Sequence, residues 1–259
     1  MNLSPVYKFY HKSLRIWRNL YLLFLLVLLP AVVHAQMFSV DNEEKETAGI
    51  PGVGIYAGVE PIDFTYTGND DSFGAAVYSF SANIVRFKLE TPFLNIFLGT
   101  AGSTTGLDNF SYFDAGINLG YGIPLLRKKD VLVFIPLQGQ TSLTRVSNNE
   151  TLSGATPLFS QGTFDFGTGL EINARLAPSI RIKANGIPRY GFTYSTRERD
   201  GGGNVKAIDA QGRLYFDELF GEAGLSLGYD YSFRSFDIND LDALNYDATA
   251  HSILIGITF

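Results

Sequence analysis

Apolar and polar residues alternate along most of the chain from Pro51 onward, with the period of two that is typical of β-strands. The clearest copy covers residues 251–259. One face of this segment carries Ile253, Ile255, Ile257 and Phe259. The other face carries Ser252, Leu254, Gly256 and Thr258. The segment is therefore predicted to be a strand with one apolar face.

The whole pattern predicts about ten strands, and eight or twelve remain open because the first two strands are irregular. In the first strand, the apolar positions change from odd to even numbers near Glu60 and Pro61. We interpret this change as a β-bulge, because one extra residue reverses the alternation and Pro cannot donate to a ladder. A second reversal is predicted after Val85 in the second strand.

The connections between the predicted strands are alternately short and longer, which is typical of transmembrane barrels with an even strand number. The apolar faces carry aromatic residues towards strand ends, as at Tyr190, Phe192 and Tyr194. Such residues favour a membrane interface. The opposite faces carry Gly and charges of both signs, whereas a soluble sandwich or lipocalin-like barrel would bury its apolar face. We predict an all-β fold, a transmembrane antiparallel up-and-down β-barrel with a polar lumen.

The terminal strand that ends on Phe259 resembles the closing strand of small porin-like outer-membrane β-barrel proteins of Gram-negative bacteria. The resemblance covers essentially the whole chain after the predicted export signal, but it includes no family-specific functional motif. It implies an integral outer-membrane protein in contact with outer-membrane lipid. It also implies that Ile255, Ile257 and Phe259 form an insertion signal for the barrel-assembly machinery. Envelope integrity, surface adhesion and restricted solute passage are the roles that it suggests.

Residues 1–35 are predicted to be an export signal. Basic residues at positions 8, 12, 15 and 18 precede an apolar run from Leu20 to Val33. That run is shorter than the ~20 residues of a spanning helix. The tripeptide Val33-His34-Ala35 fits the small-x-small cleavage pattern, so cleavage is expected after Ala35. Residues 36–50 are then a flexible periplasmic segment, and residues 51–259 form the barrel domain.

The amino-acid composition excludes several classes of function. The chain has no Cys, which excludes disulfides, thiol catalysis and zinc–thiolate sites. Its formal net charge is -6, and an acidic exported protein lacks the basic face that nucleic-acid binding needs. Acidic residues are frequent in segment 237–247. However, Leu241 and Asp242 stand where a calcium loop needs a ligand and a Gly. We expect a solvated external loop, with no metal and no cofactor.

Charged residues on the predicted polar faces are the candidate lumen residues. By the register of the alternation they are Glu60, Arg86, Lys88, Glu90, Asp114, Asp165, Glu171, Arg175, Arg181, Lys183, Arg189, Asp209, Arg213, Asp230 and Arg234. Because both signs occur in similar numbers, we expect an internal salt-bridge network that fills a narrow, largely occluded lumen. The alternative is a narrow pathway for ions or small solutes, lined by the same residues.

No catalytic constellation emerges from the sequence. Proteolytic barrels of the omptin type use Asp and His near the external rim, and lipid A deacylase barrels use a His-x-Ser arrangement on one face. Here His251 is the one His after the signal, and it directly precedes Ser252. Alternation sends these two side chains to opposite faces, so the geometry of a base and its nucleophile fails. The chain is therefore predicted to be non-enzymatic, with His251 outward near the external interface.

Overall fold

The computed structural model describes residues 52–67, 79–102, 110–148, 156–195, 202–238 and 245–259. Almost all of them lie in β-strands. The strands are β1 (Gly54–Tyr66), β2 (Phe80–Glu90), β3 (Leu94–Ala101), β4 (Phe110–Lys128), β5 (Val131–Asn148), β6 (Thr156–Thr168), β7 (Leu170–Ala177), β8 (Ile180–Ser195), β9 (Gly203–Phe220), β10 (Ala223–Ile238) and β11 (Tyr246–Thr258). The described residues contain no helix long and apolar enough to cross a membrane.

Antiparallel ladders join these strands into a closed ring. Around the ring, β1 pairs with β11, and the pairing of β4 with β5 completes the circle. β6 and β7 are two parts of a single barrel strand, because both pair with β5 and β8 in one register on either side of Gly169. The ring therefore has ten strand positions. This confirms the predicted up-and-down barrel of about ten strands.

The register of the ladders fixes how the strands tilt. A path of paired residues that starts at Gly54 on β1 returns to β1 at Tyr66, after passing through Glu90, Asn95, Asn118, Gln140, Asp165, Gly191, Val205, Phe236 and Tyr246. The displacement from position 54 to position 66 is a shear of 12 residues. For ten strands, this shear corresponds to a tilt of about 40° and to a narrow interior.

The two ends of the barrel differ in their connections. The short turns between β2 and β3, β4 and β5, β7 and β8, and β9 and β10 all lie at one end, together with the start of β1 and the end of β11. We name this the turn end. At the opposite end, the loop end, the connections run through residues outside the described ones. β10 ends at Ile238 and β11 begins at Tyr246, so most of the predicted acidic loop 237–247 lies outside the described residues.

The outer face of the barrel is apolar over the part of each strand nearer the turn end. We name this surface the outer belt. Its exposed side chains include Ile55, Val59, Val85, Phe87, Leu98, Ile117, Leu119, Leu137, Phe166, Ile208, Leu227, Ile253, Ile255 and Ile257. A continuous apolar band of this extent on a closed barrel suits hydrocarbon rather than water. The barrel is therefore of the transmembrane type.

The two reversals predicted for β1 and β2 are wrong. The register between these strands is unbroken along its whole length, so neither Pro61 nor Val85 lies at a bulge. Instead, the apolar side chains beyond these points turn inward. Ile62, Phe64 and Ile84 are each at most 3% exposed. The apolar face of both strands passes from the outside to the inside, although the backbone alternation never changes.

A cluster of apolar side chains fills the lumen near the loop end. We name it the apolar plug. It comprises Ile62, Phe64, Ile84, Ala101, Tyr112, Val146, Phe159, Val205, Phe236, Ile238, Tyr246, Ala248 and Ala250, with Phe80, Ala82 and Phe110 packed against it. Outside the plug, β1 and β2 carry exposed polar residues, namely Asp63, Thr65, Ser81 and Asn83. The outer faces of these two strands are thus apolar towards the turn end and polar towards the loop end, whereas β8 keeps exposed aromatic side chains up to Tyr194 near its loop end.

The ladder between β1 and β11, which closes the ring, is interrupted once. Pairing is continuous up to Val59 and resumes at Ile62, and Glu60 and Pro61 between them have no paired residue on β11. The physical reason is Pro61, which has no N–H to donate. A side-chain bond crosses this gap, because the hydroxyl of Ser252 donates to the carboxylate of Glu60. We name the line between β1 and β11 the seam.

Candidate lumen site

The charged side chains that the sequence assigns to the lumen all project from the inner face. On β2, for example, Arg86, Lys88 and Glu90 alternate with the outward residues Phe87 and Leu89. Every member of the assigned set except Arg175 forms an ion pair with another member or with Asp217. These ion pairs form three clusters and two separate pairs. The two separate pairs lie near the turn end. Together they form what we name the charged network.

The first cluster lies directly beneath the apolar plug and centres on Arg86. Its guanidinium donates to both carboxylate oxygens of Glu60, with a distance of 2.8 Å from Nε to Oε2, and Nη1 lies 3.1 Å from Asp114 Oδ2. Arg234 Nη1 and Thr144 Oγ1 each lie 3.2 Å from Asp114 Oδ1. These side chains come from five strands, β1, β2, β4, β5 and β10. The cluster therefore connects strands from different sides of the barrel.

The second cluster centres on Arg213 of β9. Its Nη2 lies 2.6 Å from Glu90 Oε1, and the guanidinium also donates to both oxygens of Asp230. Lys88 pairs with Asp230 as well, and Gln211 Nε2 lies 2.7 Å from Glu90 Oε1. The Arg213 side chain is 0% exposed. A buried cation with two carboxylate partners is the form in which such a charge is tolerated in a protein interior.

The third cluster joins β8 to β5, β6 and β9 through Arg189. Nε of Arg189 lies 2.6 Å from Asp209 Oδ2, and Nη1 lies 3.5 Å from Asp165 Oδ1. Its remaining nitrogen donates to Gln138, whose Oε1 also accepts from Asn118 Nδ2 at 2.8 Å. Amide side chains therefore extend this cluster across the lumen without adding charge.

Two further pairs lie near the turn end. Arg181 forms a bidentate pair with Asp217, with both N–O distances 2.6 Å. Lys183 Nζ lies 3.5 Å from Glu171 Oε2. Arg175 differs from the rest of the assigned set, because its guanidinium donates to the backbone carbonyls of Ala177 and Pro178 in the adjacent turn. We therefore assign Arg175 to the turn rather than to the charged network.

The charged network contains nearly equal numbers of basic and acidic side chains. Without Arg175 and with Asp217, the assigned residues comprise seven basic and eight acidic side chains. Glycines give the central guanidinium groups their space. A Cβ on Gly228 would lie 2.8 Å from Nη1 of Arg213, and a Cβ on Gly99 would lie 2.8 Å from Cζ of Arg86. The charges of the network therefore nearly cancel, and small residues in the wall allow its side chains to reach across the lumen.

The apolar plug is built from aromatic rings in direct contact. Phe64 lies at its centre, with its ring centroid 4.5 Å from that of Tyr246, 5.3 Å from that of Phe159 and 5.4 Å from that of Phe80. Phe159 also contacts Phe236 at a centroid distance of 5.1 Å. These are stacked and edge-to-face geometries that aromatic pairs favour. The plug is thus packed like the core of a soluble domain.

A small cavity lies at the boundary between the plug and the Arg86 cluster. Its lining includes Glu60, Arg86 and Asp114 from the network and Tyr112 and Phe236 from the plug. The volume is about 10 Å³, which is room for about one water molecule. Polar groups of the network and apolar rings of the plug therefore meet at a space of about this size.

Several residues of this site are not predicted from the sequence. Asp217 is absent from the predicted lumen set, although it shares odd-numbered positions with Asp209 and Arg213, and that parity is the signal that could have found it. The amides of Gln138 and Gln211 are absent from it too, because uncharged polar residues on an inner wall give no distinct signal. The inward aromatic residues of the plug are also absent, because the apolar face of each strand is predicted to face lipid.

His251 and Ser252 lie on opposite faces, as the alternation predicts. His251 is exposed on the outer face, where its Nδ1 lies 2.8 Å from the hydroxyl of Tyr229, whereas Ser252 is 3% exposed and faces the lumen. The residues of the expected insertion signal, Ile255, Ile257 and Phe259, also face outward and are 59%, 51% and 60% exposed. Their role as a signal stays a prediction.

No protein-family model matches this chain, and no curated protein matches it. Among solved structures, it is similar to the outer-membrane protease OmpT of Escherichia coli, with a TM-score of 0.39, 7% identity, and 80% of this chain and 96% of that chain covered. It is also similar to Ail, the attachment invasion locus protein of Yersinia pestis (TM-score 0.32, 11% identity, 81% and 100% covered). The translocator domain of the autotransporter NalP of Neisseria meningitidis gives a TM-score of 0.35, with 7% identity and 82% and 90% covered. At these values, neither residue roles nor activities transfer to this chain.

Proposed function

We propose that this protein is a non-enzymatic, integral β-barrel of the bacterial outer membrane with an occluded lumen, and that it serves envelope structure or surface interaction. One observation carries the proposal. The lumen is filled in two successive layers, first by the ion-paired side chains of the charged network and then by the apolar plug. A solute would have to displace both layers to cross.

Both layers oppose permeation for physical reasons. A permeating ion would have to break buried pairs such as those of Arg213, and an uncompensated buried charge is costly. Above the network, the same ion would meet close-packed aromatic rings that provide no ligands to replace its water. An occluded barrel can still work through its outer surface and its external loops.

The proposed location follows from the barrel itself. A closed barrel with an even strand number and an apolar outer belt is the form that outer-membrane proteins take. We propose that the chain is exported with cleavage of its signal after Ala35. We further propose that the barrel-assembly machinery recognises the strand that carries Ile255, Ile257 and Phe259.

Single-channel recording of the purified full chain in planar bilayers tests the occluded lumen. We expect no steady conductance steps. Reproducible openings that disappear in the combined variant Arg181→Gln, Arg189→Gln and Asp230→Asn would contradict the proposal, provided that the outward variant Arg145→Gln keeps them. A boiling-dependent shift on SDS gels shows that each variant is folded, so loss of conductance through misfolding is recognised.

A narrow channel for ions or small solutes is the second candidate. It is favoured by the polar lining, which continues from Arg181 and Asp217 at the turn end up to Asp114 beneath the plug. This function would require the plug to move aside. It predicts openings of the unmodified protein whose ion selectivity changes in Arg189→Gln, whereas the occluded barrel predicts no openings at all.

The non-enzymatic part of the proposal has its own test. Purified protein in detergent is incubated with lipid A, with phospholipid and with peptide substrates, and we expect no hydrolysis. Hydrolysis that persists through purification and disappears in His251→Ala or in Ser252→Ala would overturn this part. The occluded lumen would be unaffected by that result.

A further inference from the structure

The hairpin between β4 and β5 carries a concentrated positive charge at the turn end. Arg127, Lys128 and Lys129 are consecutive, and all three are exposed at the tip. Leu125 and Leu126 directly precede them and are 58% and 39% exposed. The tip therefore combines two exposed apolar side chains with three basic ones, although the chain as a whole is acidic.

The position of this tip follows from the register of β4. The outward residues Ile117, Leu119 and Ile123 belong to the outer belt and are exposed along one line of the strand. Leu125 continues that line, and a register shift between Pro124 and Leu126 then pairs Leu126 with Val133, before the ladder with β5 ends at Lys128. The basic residues therefore begin where the outer belt ends. In a bilayer, this is the level of the lipid headgroups.

A second turn provides a natural comparison. Between β9 and β10, Leu219 and Phe220 are exposed by 52% and 72%, but the charged residues beside them are Glu218 and Glu222. Both tips thus present apolar side chains at the turn end, and they differ in the sign of their charge. Apolar exposure alone does not distinguish them, so any difference in lipid binding is a consequence of charge.

We propose that the tip formed by residues 125–129 binds anionic phospholipid headgroups in the leaflet at the turn end. The inference rests on the membrane placement of the barrel. Leu125 and Leu126 enter the boundary of the acyl chains, as apolar residues of interfacial segments do. Arg127, Lys128 and Lys129 then face the headgroups, where each basic side chain attracts anionic lipid within a screening length.

A tryptophan reporter tests the proposal with no background signal. The sequence has one Trp, at position 17. In a Trp17→Phe background, Leu126→Trp is therefore the only tryptophan, and its fluorescence is quenched by neighbouring lipids with brominated acyl chains. The full chain is reconstituted into phosphatidylcholine vesicles that contain either brominated phosphatidylglycerol or brominated phosphatidylcholine. We expect an apparent preference of ~3-fold or more for phosphatidylglycerol at this site.

The matched variants separate charge from position. The combined substitutions Arg127→Gln, Lys128→Gln and Lys129→Gln should lower the preference for phosphatidylglycerol at Leu126→Trp to about 1-fold. In the tip with its basic residues unchanged, added salt should weaken this preference. Leu219→Trp at the acidic turn should show no preference for phosphatidylglycerol. An absent preference at Leu126→Trp, a preference that survives the triple Gln variant, or an equal preference at Leu219→Trp would each overturn the proposal.

The failure of membrane insertion gives a different result from the failure of lipid recognition. Each reporter variant is first checked by its boiling-dependent gel shift and by quenching with brominated phosphatidylcholine. If neither occurs, the transmembrane barrel itself is wrong. If both occur without selectivity, the barrel stands and only the anionic-lipid site is wrong.

Discussion

Arg213 illustrates how a single residue can bring opposite walls of the barrel together. Its guanidinium lies over the ring of Tyr56 at 5.0 Å and contacts the carboxylates of Glu90 and Asp230, and Gly228 leaves it room. Glu90 is 123 positions away in the sequence. Removal of the cation would leave two buried carboxylates that share Lys88 as an ion-pair partner.

We predict that Arg213→Met destabilises the folded barrel by about 3–5 kcal/mol, because it leaves buried negative charge uncompensated. Arg175→Met is the matched control. Its guanidinium contacts only turn carbonyls, so the expected loss is about 1 kcal/mol. Urea unfolding in lipid vesicles measures both. Equal effects of the two substitutions would mean that the charged network contributes little to stability.

At the scale of single elements, β1 changes its environment along its length. Its outward side chains are apolar at Ile55 and Val59 and polar at Asp63 and Thr65, while its inward side chains change in the opposite sense, from Glu60 to Phe64. β2 repeats this arrangement. The two strands therefore leave the hydrocarbon before they reach the loop end.

Single cysteines test this interpretation, because the chain has none of its own. We predict that Thr65→Cys and Ser81→Cys react rapidly with a membrane-impermeant maleimide in vesicles or cells. Val59→Cys and Val85→Cys should stay unreactive because the bilayer covers them. Folded protein is confirmed for each variant by its gel shift. Rapid labelling at Val59→Cys, or protection at Ser81→Cys, would show that the boundary of the outer belt is misplaced.

The alternation in the sequence was sufficient to predict strands, their approximate number and the inward aim of the charges. It was not sufficient for Ile62, Phe64 and Ile84, because a period of two separates the faces of a strand without saying which face is inside. We assigned every apolar face to lipid, so an inward apolar residue could be explained only by a bulge. The sequence also did not predict which charged residues of the network pair with one another. Contacts such as Arg213 with Glu90 depend on the shear of the ring, which no local pattern encodes.

At the scale of the whole molecule, closure and filling act together. Each backbone group in the hydrocarbon must be paired within the barrel, since an unpaired group costs several kcal/mol there. The ring of ten strand positions provides this pairing, and the side chains of the plug and of the charged network pack against one another inside it. Unfolding must therefore break the backbone ladders of the wall together with the side-chain contacts of the plug and the charged network.

We predict that the unboiled protein migrates on SDS gels at a position different from that of the boiled protein. The reason is that a closed, filled barrel resists the detergent until heat opens it. Combined Phe64→Ala and Phe159→Ala should lower the temperature at which the shift occurs, because each leaves a cavity at the centre of the plug. Thr65→Ala, on the outer face, should leave it nearly unchanged. The absence of any shift, together with solubility without detergent, would contradict the membrane barrel.

The interrupted ladder at Glu60 and Pro61 leaves two residues of the seam without a paired residue on β11. Part of the contact between β1 and β11 is therefore a side-chain bond, from Ser252 to Glu60. Glu60 also accepts from Arg86, so the same carboxylate joins the two strands of the seam and the first cluster of the lumen. A substitution at this one position would thus act on the wall of the barrel and on its contents together.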